Sequence, residues 1–258
     1  MGDPYCRRKG QRAVACHIQL AQLAIGRSGI CPKARRDDCP VTAAATRQHS
    51  VRLQITGLAL QRGFRRLVND FDLTCEPADI IALQGPNGSG KTTLLRALAG
   101  FHTPAAGHIT LSRPVGAEIE EPGEVLSFLG HQDPIKAGEK LIDQLRFWAD
   151  LSGASRDRVA ETLAQVGLSK QADLQGGVLS AGQRKRAALA RLLLEDRAIW
   201  LLDEPASPLD QEGRALLGAL LDQHARQGGI VLAAVHDPLP VVSARILTLG
   251  VVESGVVA

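Results

Sequence analysis

The sequence predicts an α/β fold built on a mainly parallel sheet, and three observations predict it. From Val51 onward, apolar runs of strand length alternate with helical stretches. One run, Ala198-Ile199-Trp200-Leu201-Leu202, is apolar on both faces, as a central strand covered by helices on both sides must be. Four of the five clearest runs end beside a glycine loop or an unusual polar residue, and ligands of open α/β sheets bind beyond the carboxyl ends of the strands. The 258 residues suffice for one large domain or two small ones. With 45% hydrophobic and 22% charged residues the composition is ordinary for a globular chain, which excludes collagen-like, coiled-coil and wholly disordered proteins. The longest apolar runs fall far short of the roughly 18 residues that would span a bilayer, so no transmembrane segment is expected.

Residues 1–50 stand apart. They hold nine Lys and Arg against three Asp, so the remaining 208 residues carry a net −3 within the total of +3. The basic excess therefore gives no reason to expect nucleic-acid binding by the folded part. The stretch shows neither strand alternation nor a helical stripe, and it reads as a disordered extension or as the product of a mis-assigned start. The segment Val51-Arg52-Leu53-Gln54-Ile55 reads as a first strand. A secretion signal is disfavoured because His17, Gln19 and Gln22 interrupt the apolar stretch. Zinc is disfavoured because Cys6, Cys16, Cys31 and Cys39 lack the paired close spacing of zinc ligands. With Cys75 the only cysteine beyond them, an intracellular, reduced protein fits.

The expected parallel strands are 80–84, 125–129, 198–202, 230–235 and 245–249. The first runs into Gly85-Pro86-Asn87-Gly88-Ser89-Gly90-Lys91-Thr92, followed by the helical stretch 93–99 that Thr93 opens. This is the phosphate loop of a P-loop NTPase in its proper strand and helix context. Its glycines let successive N–H groups and a helix N-terminus point at phosphate oxygens. Lys91 would neutralise the β- and γ-phosphates of ATP and the Thr92 hydroxyl would coordinate Mg²⁺. The central strand ends in Asp203-Glu204, where Asp203 would hold Mg²⁺ and Glu204 would orient and deprotonate the attacking water. The strands ending at 129 and 235 lead to Gly130-His131-Gln132 and to His236.

Leu179-Ser180-Ala181-Gly182-Gln183 opens a further helix, with Ala188, Leu189, Leu192 and Leu193 expected on one apolar face. Ser180 and Gln183 have the spacing of a capping box. Arg184, Lys185 and Arg186 follow in the first turn, where cations oppose the helix dipole, so a nearby anion is expected to relieve the conflict.

Taken in order, residues 85–92, Gln132, 179–183, Asp203-Glu204-Pro205, 207–210 and His236 resemble the nucleotide-binding domain of ABC transporters over essentially all of 51–258. Finer features resemble one branch, the ATP-binding subunit of the haem exporter complex of c-type cytochrome maturation. They are Gly130-His131-Gln132-Asp133, Ala181 in the signature, Leu145-Arg146-Phe147-Trp148, and Gln227-Gly228-Gly229-Ile230-Val231 ahead of His236-Asp237-Pro238-Leu239. The resemblance implies an ABC-type ATPase domain with a helical subdomain at about 133–190. It implies a head-to-tail homodimer with two composite sites, in which Ser180, Ala181, Gly182 and Gln183 of one copy close over the γ-phosphate at Lys91 of the other. Gln132 would sense Mg²⁺ and the attacking water and link the site to a membrane subunit. His236 would contact the γ-phosphate and position Glu204, and Asp210 would meet the opposite subunit. The partners implied are integral membrane subunits, and the location is peripheral, on the cytoplasmic face of the inner membrane.

Two residues depart from the family pattern in consequential ways. Arg62, with Phe64 two residues later, falls where the family often stacks an aromatic ring on adenine, so loose base selectivity is expected. Pro208 stands where the family has alanine and fixes φ there, which bears on signalling between the two sites. The competing readings are an ABC subunit for another substrate, a soluble ABC protein of translation or DNA repair, and a non-catalytic nucleotide-binding regulator. The single nucleotide domain argues against the second, and intact Lys91, Asp203, Glu204 and His236 argue against the third.

Overall fold

The computed structural model describes residues 49–113 and 117–250. Contacts divide the chain into units 1–44 and 45–258, and every described residue belongs to the second. The readings of residues 1–48, including those of Cys6, Cys16, Cys31 and Cys39, lie outside the described residues. Packing reaches back at least to His49, which is 8% exposed and whose amide donates to the Gln227 carbonyl at 3.0 Å.

Five strands form the parallel sheet: β3 (Ile80–Gln84), β5 (Leu126–Leu129), β6 (Ile199–Asp203), β7 (Ile230–Ala234) and β8 (Arg245–Thr248), in the order β5-β6-β7-β3-β8. All five residues of β6 and of β7 are buried, as the two-faced apolar pattern requires. The register aligns the strand ends: Leu129 pairs with Leu202, Asp203 with Ala234, and Ala234 with Leu83. Gly85, Gly130, Glu204 and Val235 therefore leave the sheet along one edge.

A second, antiparallel sheet, ordered β2-β1-β4, is made of β1 (Arg52–Arg62), β2 (Arg65–Cys75) and β4 (Ala106–Ser112). Only the start of β1 is expected from the sequence. Shifts of register explain why: the β1–β2 pairing slips between Ile55 and Leu58, between Leu58 and Leu60, and between Leu60 and Gln61. Each bulge resets the alternation of buried and exposed residues that marks a strand.

The helices are α1 (Lys91–Leu98), α2 (Leu141–Ser152), α3 (Arg158–Gln165), α4 (Ala181–Glu195) and α5 (Gln211–Arg226). One apolar cluster joins the two sheets and α1 through residues such as Leu58, Leu83, Leu94 and Leu201. A second packs α4 and α5 against the other face of the parallel sheet through Leu189, Leu192, Trp200 and Leu221. A third, with Leu141, Leu145, Leu163 and Leu194, binds α2, α3 and α4 together. Helix α4 thus has two apolar faces rather than one. Ala188, Leu189 and Leu192 meet the sheet cluster, while Ala187, Ala190 and Leu194 meet α2 and α3, because α4 is the element both clusters share. Among the described residues no helix is long and apolar enough to cross a membrane.

Candidate functional site

The phosphate loop is held from three sides. At Gly85, φ is 145° and an added Cβ would collide with the Leu249 carbonyl, so only glycine admits β8 this close. Gly90 has φ 101° at the N-cap of α1, and a Cβ there would press on Val68 and Leu67 of β2 at 3.1 and 3.2 Å. Lys91, 7% exposed, donates from Nζ to the carbonyls of Gly85 at 2.7 Å and Pro86 at 3.3 Å, which fixes the ammonium over the loop. The first turn of α1 carries no acidic residue, so its free N–H groups suit an anion. The Ser89 hydroxyl is buried inside the loop without a protein partner.

The carboxylate side comes from β6. Asp203, 4% exposed, accepts a hydrogen bond from the Thr92 hydroxyl at 3.1 Å, joining the two strand ends across the register. Glu204 has φ 51°, a left-handed conformation that costs a non-glycine residue of order 1–3 kcal/mol. Its amide is pinned by the Ala234 carbonyl at 3.0 Å, so the turn re-aims its side chain as β6 ends. The Glu204 carboxylate lies 3.5 Å from His236 Nε2.

These groups open on one cleft of about 700 Å³, lined by Asn87, Gly88, Gly90, Lys91, Thr92 and Thr93 on one side and Asp203, Glu204, Ser207 and His236 on the other. The donors fit a hard cation such as Mg²⁺, which takes one or two protein oxygens and completes its shell with water and phosphate. The Thr92 hydroxyl and Asp203 carboxylate already converge, joined by their hydrogen bond at 3.1 Å. Cys75 is buried outside the cleft lining, and burial pushes its thiol up to about 12.

Other expected site residues lie elsewhere. Gln132 is exposed and outside the cleft lining, which takes His131 from the same turn. Ser180, Ala181, Gly182, Gln183 and Asp210 do not line the cleft. Ser180 and Gln183 form the capping box of α4, with Gln183 N donating to Ser180 Oγ at 3.2 Å and Ser180 N donating to Gln183 Oε1 at 2.9 Å. Asp210 caps α5 by accepting from Gly213 N at 2.8 Å. Gly182 lies near the Pro208 carbonyl, 3.5 Å from where its Cβ would stand. The anion expected beside the cations of α4 is Asp133, 3.0 Å from the ammonium of Lys185, itself 2% exposed. Arg65, Arg96 and Leu67 also line the cleft, and the sequence alone did not single them out.

A strand, phosphate loop, helix and paired carboxylates at one sheet edge define a nucleoside-triphosphate hydrolase. The family model for ABC transporters matches residues 68–207. The cytochrome c biogenesis ATP-binding export protein CcmA of Maricaulis maris is 43% identical over 198 residues, covering 77% of this chain and 92% of that protein. The protein of the same name from Nitrobacter winogradskyi is 42% identical over 200 residues, covering 78% and 98%. A solved ABC transporter ATP-binding protein from Pyrococcus furiosus shares the fold with a TM-score of 0.66 at 24% identity, covering 77% of this chain and 97% of that one. The chain belongs to the ABC transporter family, in the branch of the CcmA ATP-binding export proteins, and it is an ATP hydrolase.

Proposed function

We propose that this ATPase works as a homodimer, peripheral on the cytoplasmic face of the inner membrane, and drives the integral membrane subunits of a haem exporter in c-type cytochrome maturation. The observation that carries the reading is the cleft that joins the phosphate loop, Asp203, Glu204 and His236, in a chain of the branch its relatives define.

ATP enters with its β- and γ-phosphates over the loop amides and Lys91. Thr92 and Asp203 would hold Mg²⁺, which would supply positive charge against the phosphate oxygens. Glu204 accepts a proton from water as the water oxygen bonds to the γ-phosphorus. The bond from that phosphorus to the bridging oxygen breaks, and ADP departs with the electron pair. His236 orients the Glu204 carboxylate and faces the γ-phosphate. Gln132, beside His131 in its turn, would face the metal and the attacking water.

Ser180, Ala181, Gly182 and Gln183 serve the cleft of a second copy, and Asp210 meets that copy beside them. The exposure of Ser180 at the tip of α4 and its absence from its own cleft support this assignment. ATP bridges the two copies and hydrolysis removes the bridge, so the cycle is a shift between closed and open populations.

The membrane partner bears on a groove of about 480 Å³ walled by Phe128, Trp148 and Leu151, with Phe101 71% and Leu151 65% exposed. Strand β5 links the two sites: Ser127 and Phe128 line the groove, and His131, just past the strand, lines the cleft.

The test is deletion of the gene, with covalently bound haem in c-type cytochromes as the readout. Cytochromes should lose haem, and Lys91→Ala should not restore it; normal cytochromes in the deletion strain would refute the haem assignment while leaving the ATPase intact.

A further inference from the structure

His236 is not held in place by its own burial. Its imidazole is 55% exposed, and its one polar contact among the described residues is the Glu204 carboxylate at 3.5 Å, beyond the usual hydrogen-bond range. The chain on either side fixes it instead. Before it, Val235 is buried and its amide donates to the Leu83 carbonyl at 3.0 Å, which locks the end of β7 to the strand of the phosphate loop. After it, the chain runs along α5. Arg214 Nη2 donates to Asp237 Oδ2 at 3.2 Å, and one turn further along the helix Gly218 admits the Pro240 carbonyl, where any Cβ would collide. Leu239 joins Leu217 and Leu221 of α5 in one apolar cluster. Of these holds on the departing chain, only Arg214 acts on the residue next to His236. A second cavity, of about 240 Å³, shares Glu204, Ser207 and His236 with the nucleotide cleft and is walled further by Arg214 and Asp237. Helix α5 gains nothing from the cation by itself. The Arg214 amide closes the first turn on the Asp210 carbonyl at 2.8 Å, where a positive charge opposes the helix dipole. Neither side chain of the pair has another ion pair among the described residues.

We propose that Arg214 is a positioning residue for hydrolysis: by holding Asp237 it fixes the direction in which the backbone carries His236 toward Glu204. The inference rests on the reading in which Glu204 activates water and His236 orients the Glu204 carboxylate. Arg214 lies outside the lining of the nucleotide cleft, so it acts only through Asp237 and His236. The pair is exposed, 41% at Arg214 and 68% at Asp237, and an exposed pair adds little to folding stability. Its effect is geometric. Without it, the chain between the buried Val235 and the buried Leu239 has no side-chain hold at Asp237, and His236 is free to leave its approach to Glu204. Misplacing a catalytic group by about 1 Å can cost up to about 10²-fold in rate. The phosphate loop and Lys91 are built from other elements, so nucleotide binding does not depend on the pair. The loss therefore falls on kcat and not on KM.

The test is steady-state ATP hydrolysis by the full chain with Mg²⁺, alongside the affinity for the non-hydrolysable imido analogue of ATP and the urea midpoint of unfolding. Arg214→Met, which keeps the stem without the charge, should lower kcat by about tenfold or more while KM and analogue affinity stay within about twofold, the pattern of an interaction expressed in the transition state alone. Asp237→Asn should do the same. The double variant Arg214→Met/Asp237→Asn should be no slower than either single one, because both remove the same contact. The exchange Arg214→Asp/Asp237→Arg, which restores opposite charges at the two positions, should recover most of the lost turnover with the urea midpoint at its wild-type value. Defects that multiply in the double variant, or an exchange as slow as the single variants, would overturn the pairing. A raised KM at wild-type kcat would overturn the inference by placing Arg214 in nucleotide binding, and a fall in the urea midpoint large enough to unfold Arg214→Met under assay conditions would reduce it to a structural role. His236→Ala separates the inference from the reading beneath it. Slow turnover in His236→Ala with wild-type turnover in Arg214→Met would sink the positioning role alone, whereas wild-type turnover in His236→Ala would sink the role of His236 and the inference with it.

Discussion

Lys185 is the most deeply buried cation of the described residues at 2% exposure, and its ammonium has one anionic partner, Asp133 at 3.0 Å and 15% exposed. The pair ties the second turn of α4 to the segment that leaves β5 through His131 and Gln132. Removing one member of a buried pair strands the other charge, which costs about 3–5 kcal/mol, whereas replacing both by apolar groups of similar volume is often neutral. Lys185→Met should therefore lower unfolding stability by about that amount, and Lys185→Met/Asp133→Leu should recover most of it in urea titrations. Equal destabilisation by the single and double variants would refute the pairing. The sequence displayed the conflict, three cations at a helix N-terminus, but not its resolution, because Asp133 and Lys185 meet only after α2 and α3 have folded between them. Glu204 is the complementary case. Its role followed from position after a buried strand, and the expected effect of Glu204→Gln is retained ATP binding with turnover reduced by about 10²–10⁴, the range for a lost general base. Phosphate release at the wild-type rate would remove Glu204 from that role.

At the scale of elements, α4 shows how a structural signal and a functional one overlap. Its N-terminus is closed by the Ser180 and Gln183 capping box, worth about 1 kcal/mol, and the same serine is assigned to the nucleotide of a second copy. Asparagine caps helices about as well as serine, so Ser180→Asn separates the two roles. The variant should unfold at the wild-type urea concentration yet hydrolyse ATP far more slowly; full activity would confine Ser180 to capping. The parallel strands were legible because burial on both faces leaves an uninterrupted apolar run. The antiparallel sheet was not, because β2 carries the burial pattern of a twice-interrupted alternation, exposed at Arg65, Arg66, Asn69 and Asp70 and buried at Leu67 and Val68. That sheet supplies Arg62, Arg65 and Leu67 to the cleft, and of these Arg65 and Leu67 were hidden with the bulged strand that carries them, while Arg62 was visible at its position ahead of the phosphate loop. The phosphate and carboxylate portion was legible because it stands at the ends of the legible strands.

For the whole molecule, stability is coupled to acid through a histidine far from any phosphate chemistry. His224 on α5 is 3% exposed and stacks on Trp200 of β6, with ring centroids 3.9 Å apart and planes inclined by 10°. His49 approaches it at 5.5 Å, and Gly229 leaves no room on its other side, since a Cβ there would meet the imidazole. Burial, reinforced by the neighbouring His49, pushes the His224 pKa down from 6.5 to about 4. The folded state therefore binds this proton less readily than the unfolded chain does. Its contribution is fully present above pH 6.5 and declines as pH falls toward about 4, by roughly 3 kcal/mol over that interval. Asp196 acts in a lower window: its contact with His49 holds the carboxyl below its usual 3.8, so that contribution persists until pH drops under that value. Urea unfolding between pH 7 and 4.5 should show stability falling steadily with acid, and His224→Phe, which keeps a ring against Trp200 without a titratable nitrogen, should flatten the profile. An unaltered pH profile in that variant would show that His224 is not the group being titrated. The adjoining Trp200 belongs to the strand that presents Asp203 and Glu204 at its other end, so acid loosening of this stack should lower ATP turnover only as pH falls toward about 4, where the folded protein itself takes up the proton, and His224→Phe should remove that component.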